Sequence, residues 1–325
     1  MKGDSGRSIR DDGVRQPLSS DHAVHVQILM ATHNGAPYLP AMINSLAAQR
    51  HRKWSLLVRD DGSLDETADV VGHYATSLPI DLIREHSIGH PGCFFRLLDH
   101  IDESTDIVAL ADQDDIWCDY KVARLVEFLK NRLTSQTPTL YCSRAKITSG
   151  DLVPRGCTPR PQRPLSFENA LVQNMALGCT IAMNRAGVDL ARSIDWSAAL
   201  RHDWWLYLAF TGLGDVRYDP VPTLLYRQHA QNVVGAGAGP VSRLGRRLVR
   251  YIDPEARTYR IAQVGAFRRA AGPRLSPSHR QLVDSYLDAR HSLHRRVMFA
   301  ARGGIRFQSR GDELAFRTAY ALGLF

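Results

Sequence analysis

Residues 24–133 alternate between short apolar runs and segments with apolar residues at helical spacing. "VHVQILMATHN" (24–34) is an apolar stretch that runs into polar loop residues, which predicts a buried strand. In "APYLPAMINSLAAQ" (36–49), Leu39, Met42, Ile43 and Leu46 recur with the period of a helix. "WSLLVRDDGS" (54–63) predicts a second buried strand, and "SLDETADVVGHYA" (63–75) a helix opened by a Ser63–Glu66 capping box. "IDLIREH" (80–86) is a third strand candidate. Then come a helix over "CFFRLLDHI" (93–101), a strand over "DIVALADQDD" (106–115) and a helix over "KVARLVEFLKNRL" (121–133). This order predicts an α/β fold, a largely parallel sheet with helices on both faces. Ligands of such sheets bind beyond the carboxyl ends of the strands. Asp60–Asp61 and Asp112–Asp115 both fall at such ends, so they are expected to face one crevice.

The pattern is less regular over 135–235. "TLYCSRAKI" predicts a strand, "RGCTPRPQRPLS" a loop, "FENALVQN" a helix and "GCTIAMNRAGVDLARSI" a strand followed by a helix. "HDWWLYLAFTGLG" is helical up to its glycine, and "VRYDPVPTLLYRQH" predicts two short strands around a proline turn. "VVGAGAGPVS" is a glycine-rich hinge. Beyond it, Leu282, Val283, Tyr286, Leu287, Leu293 and Val297 give a broken apolar stripe in a basic, mostly helical extension. The expected organisation is a disordered leader (1–23), a catalytic domain (24–235) and this C-terminal extension (236–325).

Composition narrows the class. The chain has 325 residues, 44% of them hydrophobic, enough for a sizeable core. No run approaches the ~18 apolar residues of a membrane span, and the polar N-terminus does not read as a signal peptide. The expected compartment is the cytoplasm. The five cysteines, Cys93, Cys118, Cys142, Cys157 and Cys179, form no CxxC pair, so reduced, buried thiols are expected rather than a zinc site or a disulfide framework. The net charge of +8 is unevenly placed. Residues 241–325 carry 17 Arg, no Lys and 6 acidic residues, while the rest of the chain is slightly acidic. That asymmetry suits an acidic partner surface, anionic lipid or nucleic acid, and equally a solvated helical face.

Three carboxylates in four positions, Asp112, Asp114 and Asp115, repel one another unless a cation or a polar turn accommodates them. Mg²⁺ or Mn²⁺ prefers oxygen ligands and binds through one or two carboxylates plus substrate phosphates. In extended geometry Asp112 and Asp114 point the same way and Asp115 elsewhere. Asp60–Asp61 reads either as a hydrogen-bond acceptor for a nucleotide or as a turn with a helix cap. Asp203, beside His202 and two tryptophans, reads either as a general base or as a helix N-cap. His229 reads as a metal ligand, a phosphate donor or a structural histidine.

Together, "ILMATHNGAPYLPAMINSLAAQ", "LLVRDDGSLDET", "DIVALADQDDIW", "NMALGCTIAMNR", "HDWWL" and "LLYRQH" resemble an inverting family 2 glycosyltransferase of GT-A fold, nearest to its rhamnosyltransferase-like members. The resemblance covers about 24–235. It implies that Ala31, His33 and Asp61 line the nucleotide pocket, that Asp112 and Asp114 form the DxD with Asp114 the main metal ligand, and that Gly178 sits in a loop near the acceptor. It further implies Asp203 as catalytic base and His229 as a late histidine reaching the metal or diphosphate. Cys93 departs from the family pattern, where Asn often precedes the residue equivalent to Phe94, and this bears on the donor sugar. By resemblance the donor is dTDP-L-rhamnose, then a UDP-hexose, and the acceptor a saccharide or lipid-linked saccharide of a bacterial surface polysaccharide. The basic tail would hold the enzyme at the inner membrane face.

Other readings fit less well. A nucleotidyltransferase would carry a basic, glycine-rich phosphate loop, and "MATHNGAPYLP" has one glycine and no basic residue. The Arg-rich tail lacks the aromatic interleaving and motifs of nucleic-acid binders. A non-catalytic sugar-binding protein would not need the full acidic set. A processive synthase would need membrane helices.

Overall fold

A computed structural model describes residues 23–228, 254–302 and 304–324. The expected leader, the glycine-rich hinge and His229 lie outside these residues. One mixed sheet runs in the order β3 (Ile80–Arg84), β2 (Trp54–Asp60), β1 (Val26–Thr32), β4 (Ile107–Asp112), β8 (Ala182–Asn184), β6 (Thr139–Ser149), β9 (Asp215–Gln228), β5 (Ile116–Trp117), with β7 (Pro154–Cys157) paired to β6. The first four are mutually parallel, β8 runs antiparallel to β4 and β6, and β6 and β9 are parallel.

β1 is buried on both faces, which is why it reads as a continuous apolar run. Its side chains still alternate. Ile28 and Met30, with Leu56, Val58, Ala109 and Ala111, pack on one face beneath α1 (Leu39–Ala47) and α4 (Lys121–Leu129). Leu29, Leu57, Val108 and Leu110 pack on the other, with α3 (His90–Leu98), α6 (Arg185–Arg192) and α7 (His202–Leu213). The short α5 (Phe167–Ala170) adds Phe167 to that second core. The C-terminal helices α8 (Pro254–Ala271), α9 (Pro277–Asp288) and α11 (Arg310–Ala321) join it through Val264, Phe267, Tyr286 and Tyr320, while α10 (Leu293–Arg302) lies outermost with no residue fully buried.

Three expectations change. The helix expected at Ser63 starts at Thr67 as α2 (Thr67–Ala75), and no Ser63–Glu66 capping box forms. Ser63 turns back instead, donating from its backbone and hydroxyl to Asp60 Oδ1 (3.1 and 2.5 Å). The two short strands expected around a proline turn over 216–229 are one long strand, β9 (Asp215–Gln228). Pro220 and Pro222 offer no N–H, so the β6–β9 ladder slips register at Ser143–Lys146 instead of ending. Asp219 holds that irregularity together, accepting from Arg124 Nε (2.5 Å), Tyr141 OH (2.9 Å) and Val221 N (2.9 Å). Finally, part of the loop expected after residue 155 pairs as β7.

Parallel register brings the strand ends level: Ala31 lies beside Arg59 and Asp112, and Thr32 beside Asp60. Both acidic clusters therefore open on the same edge.

Candidate active site

A cleft of about 540 Å³ occupies that edge. Ala31, His33, Asp61, Asp112, Asp114, Gly178 and Asp203 all line it. Sequence reading missed further wall residues, chiefly Gln113, Arg201, His90, His202 and Tyr226.

β4 ends at Asp112, and a turn carries Gln113 and Asp114. The turn, not an extended strand, therefore brings Asp112 and Asp114 to one cavity. Gln113 secures it: its Oε1 accepts from Thr32 Oγ1 (2.6 Å) and His33 N (2.9 Å), and its Nε2 donates to the His33 carbonyl (3.2 Å). A side chain at Gly35 would collide with the Gln113 amide and with Thr32 Oγ1. The β1 and β4 loops are thus fastened together. The His33 ring bridges Asp61 O (3.1 Å, from Nδ1) and Asn34 Nδ2 (3.1 Å, at Nε2), an arrangement that calls for the Nδ1–H tautomer.

Asp61 is gripped by donors on both carboxylate oxygens. Arg59 Nη1 and Ile88 N (2.8 Å) reach Oδ1, while Ser87 Oγ (2.9 Å) and Gly89 N (3.1 Å) reach Oδ2. Burial would raise this carboxyl, but the Arg59 guanidinium and the Ile88 N–H outweigh it and hold it down at about 2. Asp61 therefore organises the 85–89 loop that forms one wall. Cys93, the departure from the family pattern, lies under the same ion pair, its Sγ 3.0 Å from Arg59 Nη1. Burial and the adjacent Asp61 push its thiol up to about 12.

On the opposite side, Asp203 sits in the first turn of α7, 2% exposed. It is not the N-cap, which is Arg201. Arg201 donates from Nε to Oδ1 (3.1 Å) and from Nη2 to Oδ2 (2.9 Å), and Trp204 N adds 2.7 Å to Oδ1. A carboxylate held by a two-pronged guanidinium and a backbone N–H is fixed in direction. Next to it, His202 stacks on Phe94 with centroids 4.2 Å apart, and a Cβ at Gly178 would meet His202 Nε2 at 2.6 Å. Gly178 is thus needed for close approach of its loop to α7.

The acidic end of β4 calls for positive charge. Burial, then Asp114 and Asp203, push Asp112 up to about 7. Burial, then Asp112 and Asp114, push the fully buried Asp115 well up. Asp115 Oδ1 accepts from Arg227 N (3.2 Å), and among the described residues Oδ2 finds no hydrogen-bond partner. Asp112, Asp115 and Cys179 each offer a ligand atom within 4.8 Å of the others. Burial pushes the Cys179 thiol well up as well, and sulfur suits Mg²⁺ or Mn²⁺ less than the carboxylate oxygens do. Lys121 is buried above the Trp117 ring (3.8 Å) and spends its ammonium on the Cys179 carbonyl (2.5 Å), while the Arg227 guanidinium donates from Nε to the Asp114 carbonyl (2.9 Å). Hard carboxylate oxygens with this mutual repulsion fit a divalent cation of the Mg²⁺ or Mn²⁺ type.

Comparison with known proteins agrees with this architecture. Residues 27–186 match the family model described as glycosyl transferase family 2. The dTDP-rhamnosyl transferase RfbG of Shigella flexneri is 30% identical over 223 residues, 64% of this chain and 74% of that protein. The UDP-Glc:alpha-D-GlcNAc-diphosphoundecaprenol beta-1,3-glucosyltransferase WfgD of Escherichia coli is 27% identical over 186 residues, 57% and 68% of the two chains. Among solved structures, S. aureus TarS 1-349 superposes with a TM-score of 0.53 at 16% identity, covering 92% of each chain. Among the described residues no helix is long and apolar enough to cross a membrane. The chain belongs to glycosyl transferase family 2 and is a GT-A-fold glycosyltransferase that works on nucleotide-sugar donors.

Proposed function

We propose that the protein transfers L-rhamnose from dTDP-L-rhamnose to a lipid-linked saccharide, inverting the anomeric centre in a single displacement, as a step in building a surface polysaccharide. The observation that carries this reading is that Asp203, gripped by Arg201, shares one cleft with Asp112 and Asp114. Asp203 takes the proton of the acceptor hydroxyl as its oxygen attacks the anomeric carbon. The bond from that carbon to the diphosphate breaks in the same step, and the nucleoside diphosphate leaves. Asp114 and Asp112 would hold the divalent cation, with His229 as a further ligand from outside the described residues. When bound, that cation supplies Lewis-acid stabilisation of the leaving diphosphate. Ala31, His33 and Asp61 form the nucleotide side of the cleft, and Gly178 the acceptor side. Similarity to RfbG supports rhamnose and dTDP, with a UDP-hexose as alternative. Similarity to WfgD supports an acceptor on a lipid diphosphate.

Such an acceptor places the enzyme on the cytoplasmic face of the inner membrane. A surface suited to it lies on the C-terminal helices. Leu293, Val297 and Met298 of α10, and Leu322 and Leu324 beyond α11, are exposed. Gly323 lies close to the Arg296 guanidinium, which brings the end of α11 beside α10, where Arg295 and Arg302 are exposed. Apolar side chains flanked by arginines suit anionic lipid.

The functional test is a screen of nucleotide sugars with and without Mg²⁺ or Mn²⁺, followed by two variants. Asp203→Asn is expected to keep donor binding and lose about 10³-fold in kcat. Asp114→Ala is expected to abolish metal-dependent binding of dTDP. Wild-type turnover in either variant would refute the assignment.

A further inference from the structure

The segment C-terminal to the family-matched residues reaches the active site from behind. Gln263 is fully buried on α8. Its side-chain amide is spent on the backbone that leads into α7: Leu200 N donates to Oε1 at 2.8 Å, and Nε2 donates to the Arg201 carbonyl at 3.1 Å. The two contacts fix the amide's orientation, because one needs an acceptor and the other a donor. The same Arg201 carbonyl accepts Trp205 N at 3.0 Å, which makes it the anchor of the first turn of α7.

Arg201 is extended (φ −141°, ψ 125°), so its side chain leaves the helix start and turns back onto Asp203. The guanidinium can keep both its bonds only while its backbone stays in place. Apolar contacts locate α8 itself: Val264 and Phe267 are fully buried, and Phe267 meets Trp205 edge-on with centroids 5.5 Å apart. One turn before Gln263, Tyr259 is near enough to Arg201 and Asp203 to feel the charge of both. A buried amide bonded at both ends is also costly to disturb, since each backbone group it serves would be stranded away from water.

We propose that Gln263 is a positioning residue for glycosyl transfer: it fixes the Leu200–Arg201 backbone, and through Arg201 it sets the direction of the Asp203 carboxylate. The C-terminal extension then supplies part of the catalytic alignment. This inference rests on the reading of Asp203 as the base. It adds a chain of contacts, Gln263 to Arg201 to Asp203, that neither the motifs nor the family match includes.

The test uses the full chain, with dTDP-L-rhamnose as donor and a GlcNAc-diphospho-lipid as acceptor. Gln263→Met keeps the length and volume of the side chain and removes both hydrogen bonds. Val264→Ala, on the adjacent residue, loosens packing alone. We expect Gln263→Met to lose about 10- to 100-fold in kcat, as a small misplacement of the base would cause, while donor Kd and acceptor KM stay within about 2-fold. Val264→Ala is expected to lower the melting temperature and leave kcat of the folded protein within about 2-fold. If Gln263→Met does not fold, Gln263→Glu retains the acceptor for Leu200, lacks the donor for Arg201, and carries the same expected loss. A folded Gln263 variant with wild-type kcat overturns the positioning role. So does a variant whose kcat falls only in step with its folded fraction, as Val264→Ala would. Retained turnover in Asp203→Asn overturns the base assignment instead, and this inference with it.

Discussion

Arg201 meets Asp203 as a fork, Nε on one carboxylate oxygen and Nη2 on the other, at 3.1 and 2.9 Å. The two residues are only two apart, and the pair closes because Arg201 is extended while Asp203 is already helical. Both side chains line the cleft. Arg201→Met should therefore lower kcat by about 10²-fold and destabilise the fold by roughly 2 kcal/mol, the worth of hydrogen bonds to a charged group. Arg201→Lys should fall between, since an ammonium supplies charge without the planar fork. Steady-state kinetics and urea unfolding measure the two effects, and equal kcat in all three proteins would contradict the relationship.

The bond between the β1 and β4 loops gives a second prediction, concerning donor affinity rather than turnover. Gln113→Ala frees the His33 backbone, and Gly35→Ala drives Gln113 from its place. Each should raise the Kd for dTDP in the presence of Mn²⁺ by about 10-fold, or about 1.4 kcal/mol. Isothermal titration measures this directly, and an unchanged Kd in Gln113→Ala would remove the loop tie from the binding account.

Asp61 gives a prediction in pH. Its folded-state carboxyl is held down at about 2, because Arg59 and the Ile88 N–H outweigh the effect of burial. A group depressed in the folded state binds its proton later than in the unfolded chain, so its contribution is present above the unfolded value near 4. It is lost as the pH falls toward 2. The shift corresponds to roughly 2 kcal/mol. Wild type should lose stability between about pH 4.5 and 2 more steeply than Asp61→Asn, which is expected to be less stable at pH 7. Parallel unfolding slopes across that window would contradict the linkage.

The exposed α10 face is tested with vesicles. Wild type should co-sediment with phosphatidylglycerol vesicles and not with phosphatidylcholine. Leu293→Ser with Val297→Ser, and separately Arg295→Glu with Arg302→Glu, should each weaken this without changing kcat on a water-soluble acceptor. Unchanged sedimentation in both double variants would rule out this face, and dimer formation abolished by the serine pair would assign it to a second copy of the chain.

What the sequence made legible was local. β1, β2 and β4 are visible because strands buried on both faces must be apolar throughout, and the acidic clusters are visible because they interrupt those runs. The residues that complete the site depend on contacts far apart in the chain. Gln113 reads as an ordinary polar residue between two aspartates until Thr32 and His33 arrive from 80 positions away. Arg201 is one arginine among many in a basic chain. Ser63 and Glu66 match a capping box, but Asp60 competes for the serine and wins because the tight turn at Gly62 (φ 75°) puts it closer. The prolines of β9 suggested a break because nothing local shows that Asp219, fixed by Arg124 and Tyr141, would carry the strand through.

Because Val264, Phe267 and Tyr286 share one core with Trp205 and Phe167, the seam between the catalytic region and the C-terminal helices is sealed with aromatic rings. A chimera designed by cutting at the end of β9 would leave those rings bare to water, and the fragment would aggregate before its chemistry was ever assayed. Exchanging the Asp203 region between relatives therefore requires moving α7 and α8 together, as a single graft.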